Sequence, residues 1–107
     1  MITYEDFKKL DIRIGTVESV SRIEGADKLL KLIIDLGSEK RQILAGIAEF
    51  IDDPQSLVGK QIPILANLEP RKMRGEESQG MMLAADTEGT PILLHPQTKV
   101  PAGSVVR

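Results

Sequence analysis

The sequence predicts an all-β fold: a five-stranded Greek-key barrel with a short N-terminal helix and extra C-terminal strands. Three observations carry that expectation. The apolar period changes from helical to two after Asp11, turn residues cut the remainder into short runs, and a single helical piece falls between the third and fourth of those runs. The chain of 107 residues fits one domain, residues 1–107, with no repeat, low-complexity tract or linker to divide it. Ile, Leu and Val supply 30 residues and the aromatics only three, so the core is aliphatic and stacking platforms are scarce.

Thr3 is a helix cap, Asp6 sits three residues later, and Tyr4, Phe7 and Leu10 recur at helical spacing. A two-turn helix is marginal alone, so that stripe needs a surface to dock on. Ile12, Ile14, Val17 and Val20 then begin a long, bent strand, with Gly15 placed where a bulge would reset its register. Glu24 to Asp27 reads as a turn, Leu29–Leu36 as a second strand, Gly37 to Lys40 as a turn, and Arg41–Gly46 as a third strand. Asp53-Pro54 opens a helical turn through Leu57, which Gly59 ends. Gln61–Leu68 is a fourth strand, in which Pro63 demands an edge or a bulge. Gly80–Asp86 is a fifth, and Ile92–His95 with Val100–Val106 supplies the terminal strands. Five strands with a helix between the third and fourth is the layout of an OB-fold, whose open face often binds nucleic acid. The fold by itself assigns no function.

Composition removes several classes. Without cysteine there is no disulfide, thiolate metal site or cysteine nucleophile, and such a chain suits a reducing compartment, so a cytoplasmic location is expected. No apolar run reaches the roughly 18 residues of a membrane span, and the opening MITYEDFKKL has no leader-like pattern, so no membrane association is expected. The net charge is −2, so any nucleic-acid site must be locally basic. Residues 1–53 hold 8 basic and 11 acidic side chains, residues 54–107 hold 6 and 5. An enzyme is not expected. The single histidine, His95, follows an apolar strand and suits a structural role, no spacing marks a nucleophile, and helix capping accounts for Asp53 without a metal. No cofactor is implied.

The chemistry concentrates in residues 67–82, where Arg71, Lys72 and Arg74 lie within four residues between Pro70 and Gly75. That framing argues for a loop joining the fourth and fifth strands at the rim of the binding face. Arginine holds phosphate bidentately and lysine as a point charge, while Asn67 and Ser78 add neutral hydrogen-bonding groups. Charge alone favours a bland alternative, a self-neutralising surface loop, because Glu69, Glu76 and Glu77 cancel the three cations. Met81 and Met82 have their own, one facing the core as a gap-filler and the other incidental, and Asn67 has one as a turn residue.

The string Asn67-Leu68-Glu69-Pro70-Arg71-Lys72-Met73-Arg74-Gly75, continued by Ser78-Gln79-Gly80-Met81 and Leu83-Ala84-Ala85, resembles the signature of the tRNA-binding domain family. Asp11 to Gly15, Ala26 to Leu29, Ala45 to Ile47 and Leu57 to Lys60 extend the resemblance over almost the whole chain. That family includes free-standing structure-specific tRNA-binding proteins and the beta subunit or C-terminal domain of methionyl-tRNA synthetases. The resemblance implies an OB-fold, a homodimer in free-standing members, tRNA as partner, and a methionyl-tRNA synthetase catalytic chain as a further one. It implies an RNA groove of Asn67, Arg71, Lys72, Arg74, Ser78 and Met81, with Lys28 and Arg41 as further candidates on the meander. Lys28 also suits a solvated turn and Arg41 a strand-edge charge. With Phe50 the only aromatic left for the barrel, contacts to phosphate and ribose of a folded RNA suit the residues better than base stacking. The rival is a dimeric peptide-binding chaperone or export-related protein of the same fold, whose members tend to lose the Arg-Gly and Ser-Gln-Gly-Met elements that stand intact here. Tyr4, Phe7 and Leu10, with Leu93 in the C-terminal apolar run, are the expected dimer interface.

Overall fold

Strand β1, Ile12–Ile23, is the spine of the molecule in the computed structural model, which describes residues 1–107. Its first part, Ile12 to Thr16, pairs with β4 (Gln61–Leu65), and its second part, Thr16 to Ile23, pairs with β2 (Ala26–Asp35). One strand can serve two neighbours in this way because it bends. The register against β2 slips between Val17 and Ser19 and again between Arg22 and Ile23, leaving Glu18 as the extra, outward-facing residue. Gly15, expected to be the bulge, is instead in regular register opposite Ile62. It is glycine for a different reason: a Cβ there would run into the side chains of Ile34 and Leu36 on the inner face.

The first turn is tighter than Glu24–Asp27, since Ala26 already belongs to β2 and Ile23 pairs with Ala26 across Glu24-Gly25. β3 (Lys40–Ala45) pairs with β2, and two 3-10 turns, Ala48–Phe50 and Pro54–Leu57, carry the chain to β4. Asp53 caps the second of these by accepting from the Gln55 amide, as its sequence predicts. β4 ends at Leu65, not Leu68, because Ala66 and Asn67 turn away. Pro63 accepts from Leu83 N on the flank where the next ladder has already ended, so its missing donor interrupts no ladder bond there.

The largest departure lies between β4 and the C-terminus. The stretch expected as a loop is a hairpin, β5 (Arg71–Met73) against β6 (Glu76–Ser78), closed by Arg74 and Gly75 with φ of 52° and 79°. Two central residues at positive φ give the turn whose twist matches that of antiparallel strands, and opposite charges at Lys72 and Glu77 face each other across it. The expected fifth strand, Gly80–Asp86, is broken at Leu83. β7 (Met81–Met82) pairs with β4, and β8 (Ala84–Thr87) leaves the barrel to form a second hairpin with β9 (Thr90–Leu93). Of Val100–Val106, only β10 (Val105–Val106) is strand, and it covers the edge of β1 at Ile12 and Arg13 upstream of β2.

The order β3-β2-β1-β4-β7 is that of an OB-like barrel, all-β apart from the helix α1 (Tyr4–Phe7). The barrel closes between β3 and the segment around Ser78 and Gln79, where Gln79 N donates to Gln42 O and Gln42 N donates to the Gln79 side-chain oxygen. Inside lie 14 aliphatic residues, with Leu30, Leu32, Ile34, Ile43 and Ile64 sealed completely from solvent. Alternate positions of β2 (Leu30, Leu32, Ile34), β3 (Ile43, Ala45) and β4 (Ile62, Ile64) supply half of them, so the period of two builds the centre of the core. Leu36, Ile47, Ala48, Leu57 and Ala66 from the connections complete it with Val17 and Val20 of β1. No helix is long and apolar enough to cross a membrane.

α1 has the capping box read from Thr3 and Asp6, yet buries none of its residues. Tyr4 is 68% exposed and Leu10 is exposed with it. Leu93 departs from its expected place, since it packs against the core, whereas its neighbours Ile92 and Leu94 point outward. The alternation of a strand decides which of the three is wet.

Candidate nucleic-acid interface

The hairpin β5–β6 is held rigidly by one of its own acids. Glu76 accepts from Lys31 Nζ on β2 at 3.1 Å and from Gln42 Nε2 on β3 at 3.1 Å, and the same Gln42 amide donates to Glu77 O. These donors favour the carboxylate, so the hydrogen bond from Lys31, then that from Gln42, holds the Glu76 carboxyl below its ordinary range. The consequence for charge is direct. Glu76 is neutralised by a lysine of the barrel wall, and Arg71, Lys72 and Arg74 enter none of the ion pairs of the molecule. The cancellation that the sequence suggests within the loop is therefore not made by side-chain pairing, and the hairpin presents a net cationic edge.

Lys28 joins that edge from the other side. It projects from the start of β2, and a cleft of about 320 Å³ between it and Arg74 is lined by Gly25, Asp27 and Leu29 as well. Leu29 also borders a larger cleft of about 470 Å³, lined by Arg71 and Met81 among others, so the two clefts share a wall and the cations Lys28, Arg74 and Arg71 line neighbouring depressions. Lys72 is exposed and lines neither cleft.

Three residues of the expected groove are committed to the fold. Ser78 is 3% exposed; its hydroxyl accepts from Leu44 N and donates to Gly80 O, sealing the barrel seam. Arg41 is a strut: Nε and one terminal nitrogen hold Glu39, and the other terminal nitrogen donates to Ala66 O at 2.7 Å and Gln79 O at 3.1 Å. Asn67 accepts from Asp11 N and donates to Lys9 O, fastening the segment after α1 to the end of β4. Their hydrogen bonds position the hairpin and the helix, with Ser78 buried, Arg41 half-buried and Asn67 exposed. His95 is likewise engaged, its Nδ1 lying 2.7 Å from Gln61 O. The residues that sequence reasoning missed are Lys31, Gln42 and Glu76, the supports of the hairpin. Only the pairing of β2, β3 and β6 brings them together, and no local pattern marks them.

Residues 12–105 match the model of the family described as "Putative tRNA binding domain". Among proteins of known activity, a methionine–tRNA ligase of Methanothrix thermoacetophila is 54% identical over 107 residues, and one of Archaeoglobus fulgidus 50% identical over 105 residues. The chain covers 16% of the length of each. The solved structure of a MetRS related protein from Pyrococcus horikoshii superposes with a TM-score of 0.94 at 39% identity, covering 100% of this chain and 98% of that one. A chaperone CsaA from Bacillus anthracis superposes at 0.89 with 31% identity, covering 100% and 99%. A family match over nearly the whole chain, on an OB-like barrel whose β5–β6 hairpin carries three cations free of ion pairs, leaves a single assignment: this chain belongs to the tRNA-binding domain family.

Proposed function

We propose that this domain grips the folded backbone of tRNA with Arg71, Lys72 and Arg74 on the hairpin and Lys28 across the cleft, without catalysing a reaction. The observation that carries the reading is the absence of ion pairs at those four side chains beside a Glu76 already occupied by Lys31. Unpaired cations on a rigid support are free to displace counterions from phosphates, and the arginines can do so bidentately. The domain works in the cytoplasm with a methionine–tRNA ligase, either as a piece of that chain or beside it. The support is that the matched ligases hold a segment about 50% identical to this one as 16% of their length.

Binding of a tRNA transcript, followed by fluorescence anisotropy at increasing salt, tests the reading. A steep salt dependence, together with preference for folded tRNA over an unstructured RNA of equal length, is the expected result. Equal affinity for the unstructured strand would remove shape recognition. The likeness to chaperone CsaA makes peptide capture the second reading. An unfolded peptide that binds where tRNA does not would favour it.

The assembly reading is a homodimer. Tyr4 and Leu10 flank the entry to β1, Val105 and Val106 pair beside its first residues, and Ile92 and Leu94 face outward from β9. These apolar groups find no cover within one chain. Native mass spectrometry is expected to give twice 11.8 kDa. Ile92→Asp and Tyr4→Asp are expected to return it to one chain, whereas a charge at Leu93 would disturb the core. A single-chain mass for the unaltered protein at micromolar concentration excludes the dimer.

A further inference from the structure

We infer that the larger cleft is a pocket for one unstacked nucleobase of the bound tRNA, with Arg71 at its rim on an adjoining phosphate; this rests on the tRNA reading and adds a base contact to it. Three observations converge. The first is the placement of methionine. The chain has four, and all but Met1 line this one cleft: Met73 from β5, and Met81 and Met82 from β7. Met82 packs against the core as a gap-filler would, but Met81 is 40% exposed and outside that cluster, and the sealed core residues are Ile, Leu and Val. Thioethers are polarisable and make favourable contacts with aromatic rings, and the cleft itself contains no aromatic side chain.

The second observation is Gly46. It lines the cleft just after β3, its φ is not positive, and a Cβ built on it meets nothing within 4 Å. Neither backbone conformation nor packing therefore requires glycine. What the missing side chain does is keep the cleft open at its mouth, which a flat ring needs and a filled core does not.

The third is charge. Arg71 makes no ion pair, and the cleft shares Leu29 with the one between Lys28 and Arg74, so a polyanionic backbone held by those three cations would pass beside it. Asp86 is the one acid in the lining. Its Oδ1 accepts from Gly89 N at 2.7 Å, and Oδ2 is left to accept from an amino or imino N–H of a base, groups that an apolar peptide side chain lacks. A volume of about 470 Å³ exceeds that of a single base, leaving room for the ribose at the mouth. Unstacked bases in loops are the usual object of base readout in RNA, and a folded tRNA offers them at fixed positions on a rigid shape.

The test pairs affinity with chemical probing of an unmodified tRNA transcript bound to the wild-type chain, Gly46→Leu and Met81→Ala. In the wild-type complex, one or two unpaired loop bases are expected to lose reactivity towards dimethyl sulfate or carbodiimide. Gly46→Leu, which occupies the mouth, is expected to restore that reactivity and weaken binding roughly 5- to 50-fold, leaving the salt slope unchanged because no phosphate contact is lost. Met81→Ala is expected to act in the same direction, and it decides the matter should Gly46→Leu lose its thermal transition. Wild-type affinity in both folded variants, or no protected base in the wild-type complex, overturns the base pocket while leaving tRNA binding standing. A fluorescent apolar decapeptide that binds the wild type but not Gly46→Leu, with tRNA affinity unaltered, assigns the cleft to peptide and overturns it too. A wild-type chain that binds no tRNA removes both readings together.

Discussion

The meander β2–β3 and the hairpin β5–β6 carry the same kinds of side chain and use them in opposite ways. On the meander, Lys31, Lys40 and Arg41 each hold an acid, at 3.1, 2.7 and 2.7 Å, from another strand or turn. Lys28, at the start of the same meander, and Arg71, Lys72 and Arg74 on the hairpin hold none. Six of the 14 basic residues are paired, four of them with an acid two or three positions away, whereas Lys40 and Lys31 reach across the fold to Glu18 and Glu76. Glu76, two residues from Arg74, goes to Lys31, 45 positions away. A charge count along the chain therefore misjudges the hairpin as neutral. The partner each carboxylate finds in the folded state decides which cations remain for a polyanion.

The strongest way to break this contrast is to remove both arginines. Arg71→Ala with Arg74→Ala is expected to weaken tRNA binding by roughly a hundredfold to ten-thousandfold at low salt, from about 1.5–3 kcal/mol for each charged contact. The salt slope of log K is expected to fall by about 0.7–0.9 per phosphate lost, and thermal stability to stay the same. Unchanged binding in an anisotropy titration would show the hairpin to be an idle surface.

Arg41→Ala probes the opposite side of the contrast. It removes the donor to Ala66 O and Gln79 O at the barrel seam, so urea unfolding is expected to show a loss of about 1–3 kcal/mol. The salt slope for tRNA is expected to stay put, and a drop equal to that of an Arg71 variant would instead make Arg41 a phosphate ligand. Ser78→Ala leaves the Leu44 amide without its acceptor inside the seam, and a loss of about 1–2 kcal/mol is expected in the same measurement. Equal stability would mean that water replaces the hydroxyl.

The smallest effect is the pH dependence of the hairpin anchor. The folded protein holds the Glu76 carboxyl below its ordinary value of 4.5, so the support is fully present above that pH and is lost as the pH falls through the lower folded value. Amide exchange in β5 and β6 is expected to quicken across that interval, relative to β2, and Glu76→Gln is expected to flatten the response. Exchange that quickens equally in both regions would point to general acid unfolding.

Much of the architecture is written in local pattern. The period of two after Asp11 marks β1 to β4, Thr3 with Asp6 marks α1, and Asp53-Pro54 marks the second 3-10 turn, because a strand face, a cap and a fixed proline φ are each set by a few neighbouring residues. The string of Arg71, Lys72 and Arg74 was equally legible as a cationic element. Its conformation was not, since the turn signal at Arg74-Gly75 stood beside a proline and a run of charges that read as loop.

Sequence by itself determined the aliphatic barrel core, the position of the cations along the chain and the family, because hydrophobic periodicity and motif spacing are properties of adjacent residues. Tertiary structure alone decided that Ser78, Arg41 and Asn67 serve the seam and the helix anchor, that Leu93 faces inward and Ile92 outward, and that the three internal methionines meet at one cleft. Each of those outcomes depends on pairings between residues 25 to 58 positions apart or on which face of a short strand meets the core. A hydrogen bond or an ion pair forms with whatever the fold brings within 3 Å, and no local sequence pattern specifies that partner.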